Sequence, residues 1–187
     1  MTLIPQMSTG QWTSLAVAAV AVFWMVGAYN RLVALRSAIG DAFRHVDDLV
    51  QRRAAAATAL AELARGAMPS EHSAIDAWLA AQASSRLAAE ALRAKPVQAA
   101  RAVALAAAEA PLAAAGARVM ALLEQHPQLL SDATVAAHLA SLREAEARLG
   151  FARQVFNEAA QAYNDAVRLF PTRLLARLYG FGTAGRL

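Results

Sequence analysis

The sequence predicts an all-α protein. An N-terminal transmembrane helix continues into an antiparallel up-down-up-down four-helix bundle, and a short C-terminal amphipathic helix follows. Three observations carry this reading. The first thirty residues hold no charged side chain. Apolar residues then recur at alternating three- and four-residue spacing, with no strand alternation anywhere. Near the C-terminus, large apolar residues repeat at intervals of seven. The expected organisation is a short external N-terminus (1–10), a transmembrane helix (11–29), a cytoplasmic bundle (30–170) and an amphipathic or flexible tail (171–187).

The run QWTSLAVAAVAVFWMVGAY, Gln11 to Tyr29, is long enough to cross a bilayer, which takes roughly 20 apolar residues. Trp12 stands near one end, and Trp24 and Tyr29 near the other, where amphipathic rings favour the interface. A cleaved signal peptide would use Val26-Gly27-Ala28 as its cleavage site. Against that, no Lys or Arg precedes the run, and it exceeds an ordinary signal core. Arg31, Arg36 and Arg44 follow the span. The positive-inside rule therefore places the N-terminus outside and the rest in the cytoplasm.

Past the span, Leu32, Leu35, Ile39, Ala42, Val46, Leu49, Ala56, Leu60 and Leu63 line one helical face, broken where Arg53 takes a seam position. Gly66 is the expected stop. Ser70 with Glu71 predicts the cap of a second helix carrying Ile75, Trp78 and Leu79. That helix ends near Lys95-Pro96, where the proline opens a third segment from Val97 to about Gln125. Pro111 is expected to kink or divide the third segment. A last, long helix starts at Ser131-Asp132, with Ser131 read as its cap, and reaches Phe170.

On that last helix Leu142, Leu149, Phe156, Tyr163 and Phe170 are seven apart, and Ala145, Ala152, Ala159 and Ala166 follow the first four by three. Large residues alternating with alanine describe a face for close antiparallel packing. Tyr29, Asn30, Leu149, Phe156, Tyr163 and Phe170 are thus read as seam residues. Asn157 and Asn164 sit beside the seam, either as solvated flank residues or as register-setting groups bonded across to the first helix.

The cytoplasmic part of the first helix, Asn30 to Arg65, and the last helix, Ser131 to Phe170, would be about 54 and 60 Å long, so the last returns toward the membrane. There TRLLARLYGF offers Leu174, Leu175, Leu178, Tyr179 and Phe181 as anchors, with Arg173 and Arg177 able to snorkel. The segment either lies against the inner leaflet or caps the bundle's membrane-proximal end.

YNRLVALRSAIGDAFRHVDDLVQRR (Tyr29 to Arg53) resembles the post-anchor segment of LemA-family proteins. HPQLL and LREAEARLGFARQVFNEAAQAYNDAVRLFPTRLLARLYGF (Leu142 to Phe181) resemble that family's C-terminal half. The resemblance implies a single-pass bacterial inner-membrane protein with a four-helix cytoplasmic bundle. It also implies no established enzymatic activity, and a scaffold or accessory role near membrane-associated proteases or envelope-stress functions. The chain departs from the family where AAAATALAEL replaces an Ile-Pro-Asn-like interruption, so the first helix should run straighter here.

The residues point to no catalytic, cofactor or metal chemistry. GFGTAG (Gly180 to Gly185) matches a dinucleotide-binding pattern, but helix precedes it and only Arg186 and Leu187 follow, so a flexible tail is expected. His45, His72, His126 and His138 form no short-spaced pair. Asp48 and Arg52 read as a surface pair. Net charge is +4 with 18 Lys and Arg, but the arginines are dispersed among acids and form no nucleic-acid stripe. Expected partners are therefore anionic inner-leaflet phospholipid, a membrane-associated protein, and further copies of the chain. Two functions follow: a scaffold or accessory protein, or a lipid-associating, self-assembling structural protein.

Overall fold

The computed structural model describes residues 9–170 and 172–187. The expected external N-terminus lies almost wholly outside them. Among the described residues all regular structure is helical. The elements are α1 (Thr9–Ala67), a 3₁₀ turn (Pro69–Glu71), α2 (His72–Ala94), α3 (Ala99–Glu124), the single turn α4 (Pro127–Leu130), α5 (Ala133–Arg168) and α6 (Thr172–Leu178).

Helix α1 has 59 residues without a break, about 88 Å, as the alanine run in place of an interruption leads one to expect. Its first fully covered residue is Leu32. From Thr9 to Gly27 every position is exposed. That stretch is long and apolar enough to cross a membrane and fits a membrane anchor. By composition alone α3 passes the same length test. However, it packs along α2 and shares the bundle core through Leu105, Leu112, Val119 and Leu123.

Helix α1 packs along α5 and α2, and α2 along α3. The α3–α5 edge is wider: their side chains share core, but their backbones do not run in close contact. Two apolar clusters stack along the bundle. The one nearer the uncovered apolar part of α1 holds Leu32, Ile39, Phe43, Leu92, Leu149, Phe156 and Tyr163. The distal one holds Leu60, Met68, Ile75, Trp78, Val119, Leu123 and Leu142. Phe43 and Phe156 meet edge to face at 5.8 Å, a favoured aromatic geometry. Ala145, Ala152 and Ala166 are buried, so small residues at the second seam position do let α5 approach closely.

Several expected boundaries move. Helix α3 runs undivided through Pro111; the carbonyl four residues back, which loses its helical donor, belongs to Ala107 at an exposed position. Pro96 lies in the turn before α3, whose cap is Gln98. Helix α5 is capped by Asp132 rather than Ser131: the Asp132 carboxylate accepts from Thr134 N at 2.7 Å and Val135 N at 3.2 Å. These backbone hydrogen bonds hold its pKa below the usual value. Ser131 Oγ instead donates to the Gln128 carbonyl, closing α4. Neither Ser70 nor Glu71 makes a side-chain cap for α2.

Phe170 is not a seam residue. Helix α5 stops at Arg168, Leu169 is extended (φ −67°, ψ 137°), and Phe170 is 75% exposed. Proline at 171 cannot continue the ladder and disfavours helix in the residue before it. The seven-residue step therefore no longer returns the ring to the core. Asn30 is exposed and Tyr29 lies above the bundle core, so the seam on α1 begins at Leu32.

Candidate membrane-facing collar and tail clamp

Helix α6 packs against both α1 and α5. Its seven residues divide between two surroundings. Leu175 and Ala176 are buried against the bundle. Leu174 and Leu178, on the other side, are 57% and 74% exposed, and Tyr179 stands out beside them. The sequence expectation that Leu175 joins the outward set is therefore corrected: at helical spacing it lies on the inner face. Phe181 is half-buried. Arg173 and Arg177 are exposed, as are Arg31 and Arg36 on α1.

Aromatic stacking fixes where this helix sits. The Tyr29 ring meets Tyr179 at 5.3 Å and Phe181 at 6.0 Å. Tyr29 closes the apolar run that contains Trp12 and Trp24, both exposed. Leu169, Phe170, Leu174, Leu178 and Tyr179 thus form an exposed apolar collar at the level where α1 leaves the bundle.

Past α6 the chain turns at Gly180, whose φ of +70° suits a residue without Cβ. The glycine-rich tail is docked, contrary to the expectation of a loose end. Asn164 Nδ2 donates to the Ala184 carbonyl at 3.0 Å, and its Oδ1 accepts from Ala184 N at 2.7 Å. Asn157 treats Leu187 the same way, with both hydrogen bonds at 2.8 Å. Each amide therefore satisfies one residue's entire backbone. The spacing has a metric reason: seven helical residues rise about 10.5 Å, and three extended residues span about 10 Å. The paired asparagines are a ruler for an extended segment running antiparallel to α5. They bond the tail, not α1, which corrects the register role. Gly185 lies against α3, where an added Cβ would fall 2.8 Å from both Ala99 O and Ala102 Cβ. The tail thereby ties α5 to α3 across the wide edge. Tyr163 lies buried in this region, and burial raises its phenol pKa, with the Arg36 charge opposing.

Between the two apolar clusters lies a charged layer. Arg53, at the seam break, is 5% exposed and donates to Glu109 through both terminal nitrogens at 2.7 Å, and to Ser85 Oγ at 3.1 Å. Ser85 Oγ donates to Glu109 at 2.5 Å, and Arg153 from α5 also pairs with Glu109. Burial alone would raise the Glu109 pKa. The Arg53 hydrogen bonds and charge, Ser85 and Arg153 outweigh it and hold the group at about 2. At the base of the layer's neighbourhood, Asp47 pairs with Arg93 at 3.2 Å. Asp48 and Arg52 pair on the surface at 2.9 Å. No cluster of three metal-donor side chains occurs among the described residues.

The sequence matches the LemA family over residues 42–186, most of the chain and nearly all of the bundle. This chain belongs to the LemA family. It is also 38% identical over 64 residues to the magnetosome protein MamQ of Magnetospirillum gryphiswaldense, covering 34% of this chain and 24% of that protein. The chain thus spans about a quarter of that relative's length in this match. As a LemA-family member it is a membrane-associated helical protein.

Sequence reading of this LemA-family chain missed Glu109, Ser85 and Arg153 as partners for Arg53. The signal was present as an arginine at a seam position, since a buried guanidinium needs an acid. Which acid answers it depends on α3, whose alanine-rich sequence gives little register information.

Proposed function

We propose that this LemA-family protein is a non-enzymatic scaffold, anchored by α1 with its N-terminus outside, whose bundle sits on the cytoplasmic face of the inner membrane. There it engages another membrane-associated protein and modulates a protease or envelope-stress process. The apolar collar carries the reading. Leu174 and Leu178 on a short helix, and Tyr179 just past its end, stand exposed beside Tyr29 at the exit of an uncovered apolar segment. Exposed apolar groups at that level are stabilised by entering the headgroup boundary, and Arg173 and Arg177 beside them suit anionic lipid. Arg31, Arg36 and Arg44 after the span, with no basic residue before it, support the orientation.

The chain lacks cysteine, so Leu178→Cys accepts an environment-sensitive fluorophore without background. In the full chain reconstituted in vesicles containing phosphatidylglycerol, this label should shift to the blue, whereas one at Glu62→Cys, exposed toward the far end of α1, should not. Equal, water-like emission at both positions would sink the collar reading. The second reading, a lipid-associating protein that assembles with copies of itself, is favoured by the exposed alanines of α3, including Ala104, Ala107 and Ala114. Crosslinking in native membranes separates the two: one dominant heterologous partner supports the scaffold, and self-crosslinks alone support assembly.

A further inference from the structure

Three edges of the bundle are closed by helix packing, and the α3–α5 edge is not. A cleft of about 630 Å³ opens there. One wall is α3 from Glu109 to Met120, and the other is α5 from Leu139 to Arg153. At 1.5 Å per residue those walls are about 17 and 21 Å long, the length of three to four helical turns. Ala113, Gly116 and Ala117 make the α3 wall low enough for a backbone to approach. Gly116 lets α3 lie close over the floor: a Cβ there would lie 3.2 Å from Trp78 Nε1, a tight contact.

The floor holds polar groups that the chain does not satisfy. Gln82 is 5% exposed and its Oε1 has no partner; Arg53 Nε is buried and also has none. An unpaired buried polar atom costs about 1–3 kcal/mol. Both residues line the cleft, and so does Trp78. The lining therefore includes two residues that each hold one unmet hydrogen-bonding atom, together with the apolar Leu139, Leu142 and Met120 and the charged Arg143 and Glu146.

We propose that this cleft receives one amphipathic helix of a partner protein, with an asparagine or glutamine side chain at its centre set against Gln82. This deepens, and rests on, the scaffold reading, since it names where the partner docks. A carboxamide both donates and accepts, so it satisfies Gln82 whichever way that amide is turned. The partner helix completes the missing packing edge, as an apolar helix face does in a groove. Arg53 lies 24 residues beyond Tyr29 on an unbroken helix, about 36 Å from the collar, so an acyl chain of the bilayer does not reach the cleft.

The test uses the full chain in its native membrane, with a photo-crosslinking benzoylphenylalanine at Ala113 on one wall, at Glu146 on the other, at Asp48 on the far side of α1, and at Leu178 in the collar. Both wall positions should reach one segment of one heterologous protein, at residues spaced by three, four or seven around an Asn or Gln. Asp48 should not reach it. A synthetic peptide of that segment should shift the Trp78 indole N–H resonance. Its affinity should fall about tenfold in Gln82→Leu, a change that leaves the melting temperature equal or higher because it removes a buried unpaired group. Ala117→Trp should block the wall crosslinks with helicity unchanged. Wall crosslinks that scatter, that fall on a second copy of this chain, or a Gln82→Leu affinity equal to wild type would overturn the inference. Heterologous crosslinks from Leu178 alone would leave the scaffold reading standing without the cleft. If no position captures a heterologous protein, the scaffold reading itself fails.

Discussion

Replacing Asn164 with alanine removes two hydrogen bonds to a single buried residue, Ala184. Each is worth about 1 kcal/mol net. Leaving the Ala184 N–H and C=O buried without partners would cost about 1–3 kcal/mol apiece. The chain avoids that larger cost by releasing the tail, so the loss is capped by the tail's own docking energy, and about 2 kcal/mol is expected. For a chain of this size that lowers the melting temperature by roughly 4–8 °C. Amide exchange gives the decisive readout: Ala184 and Leu187 N–H should be protected in the parent protein and exchange freely in Asn164→Ala. Gly185→Ala should release the same amides by clashing with Ala99 and Ala102, whereas Gly182→Ala, with open space around it, should not. If Ala184 stays protected in Asn164→Ala, the side-chain amides do not hold the tail, and the ruler argument is wrong.

The charged layer gives two further expectations. Arg53→Leu leaves Glu109 short of its main partner and should destabilise the fold by about 3 kcal/mol, measured by chemical denaturation. The Glu109 pKa is lowered on folding, from 4.5 to about 2. The stability it contributes is therefore complete above the unfolded value and is lost as pH falls from about 4.5 toward 2. At about 1.4 kcal/mol per pKa unit, reduced for partial solvent screening, this is worth roughly 2–3 kcal/mol. Denaturation midpoints at pH 5 and pH 2.5 should show that step in the parent protein and lack it in Glu109→Gln. Phe156→Ala opens the core and should cost about 3–5 kcal/mol. Phe170→Ala should leave stability within about 0.5 kcal/mol, and equal melting losses for the two would refute the placement of Phe170 outside the seam.

Periodicity along the chain determined much of this protein. The uncharged run before Asn30, the three-four spacing after it, and the ladder Leu142, Leu149, Phe156 and Tyr163 specify helices and their buried faces. Burial of an apolar stripe is a local demand that any partner surface can meet, so it is legible one helix at a time. The same rule failed at Phe170, because a proline one residue later ends the helix that the period assumes. Tertiary structure alone decided which groups answer each other. The asparagines of FNEA and YNDA look like flank residues until Ala184 and Leu187 are brought beside them by the turn at Gly180. Arg53 looks like a break in the seam until Glu109, 56 residues away, is placed against it. Hydrogen bonds and ion pairs depend on distance in space to within a fraction of an ångström. No spacing along a single helix encodes that distance, so the clamp, the charged layer and the open edge beside it exist only once the helices have packed.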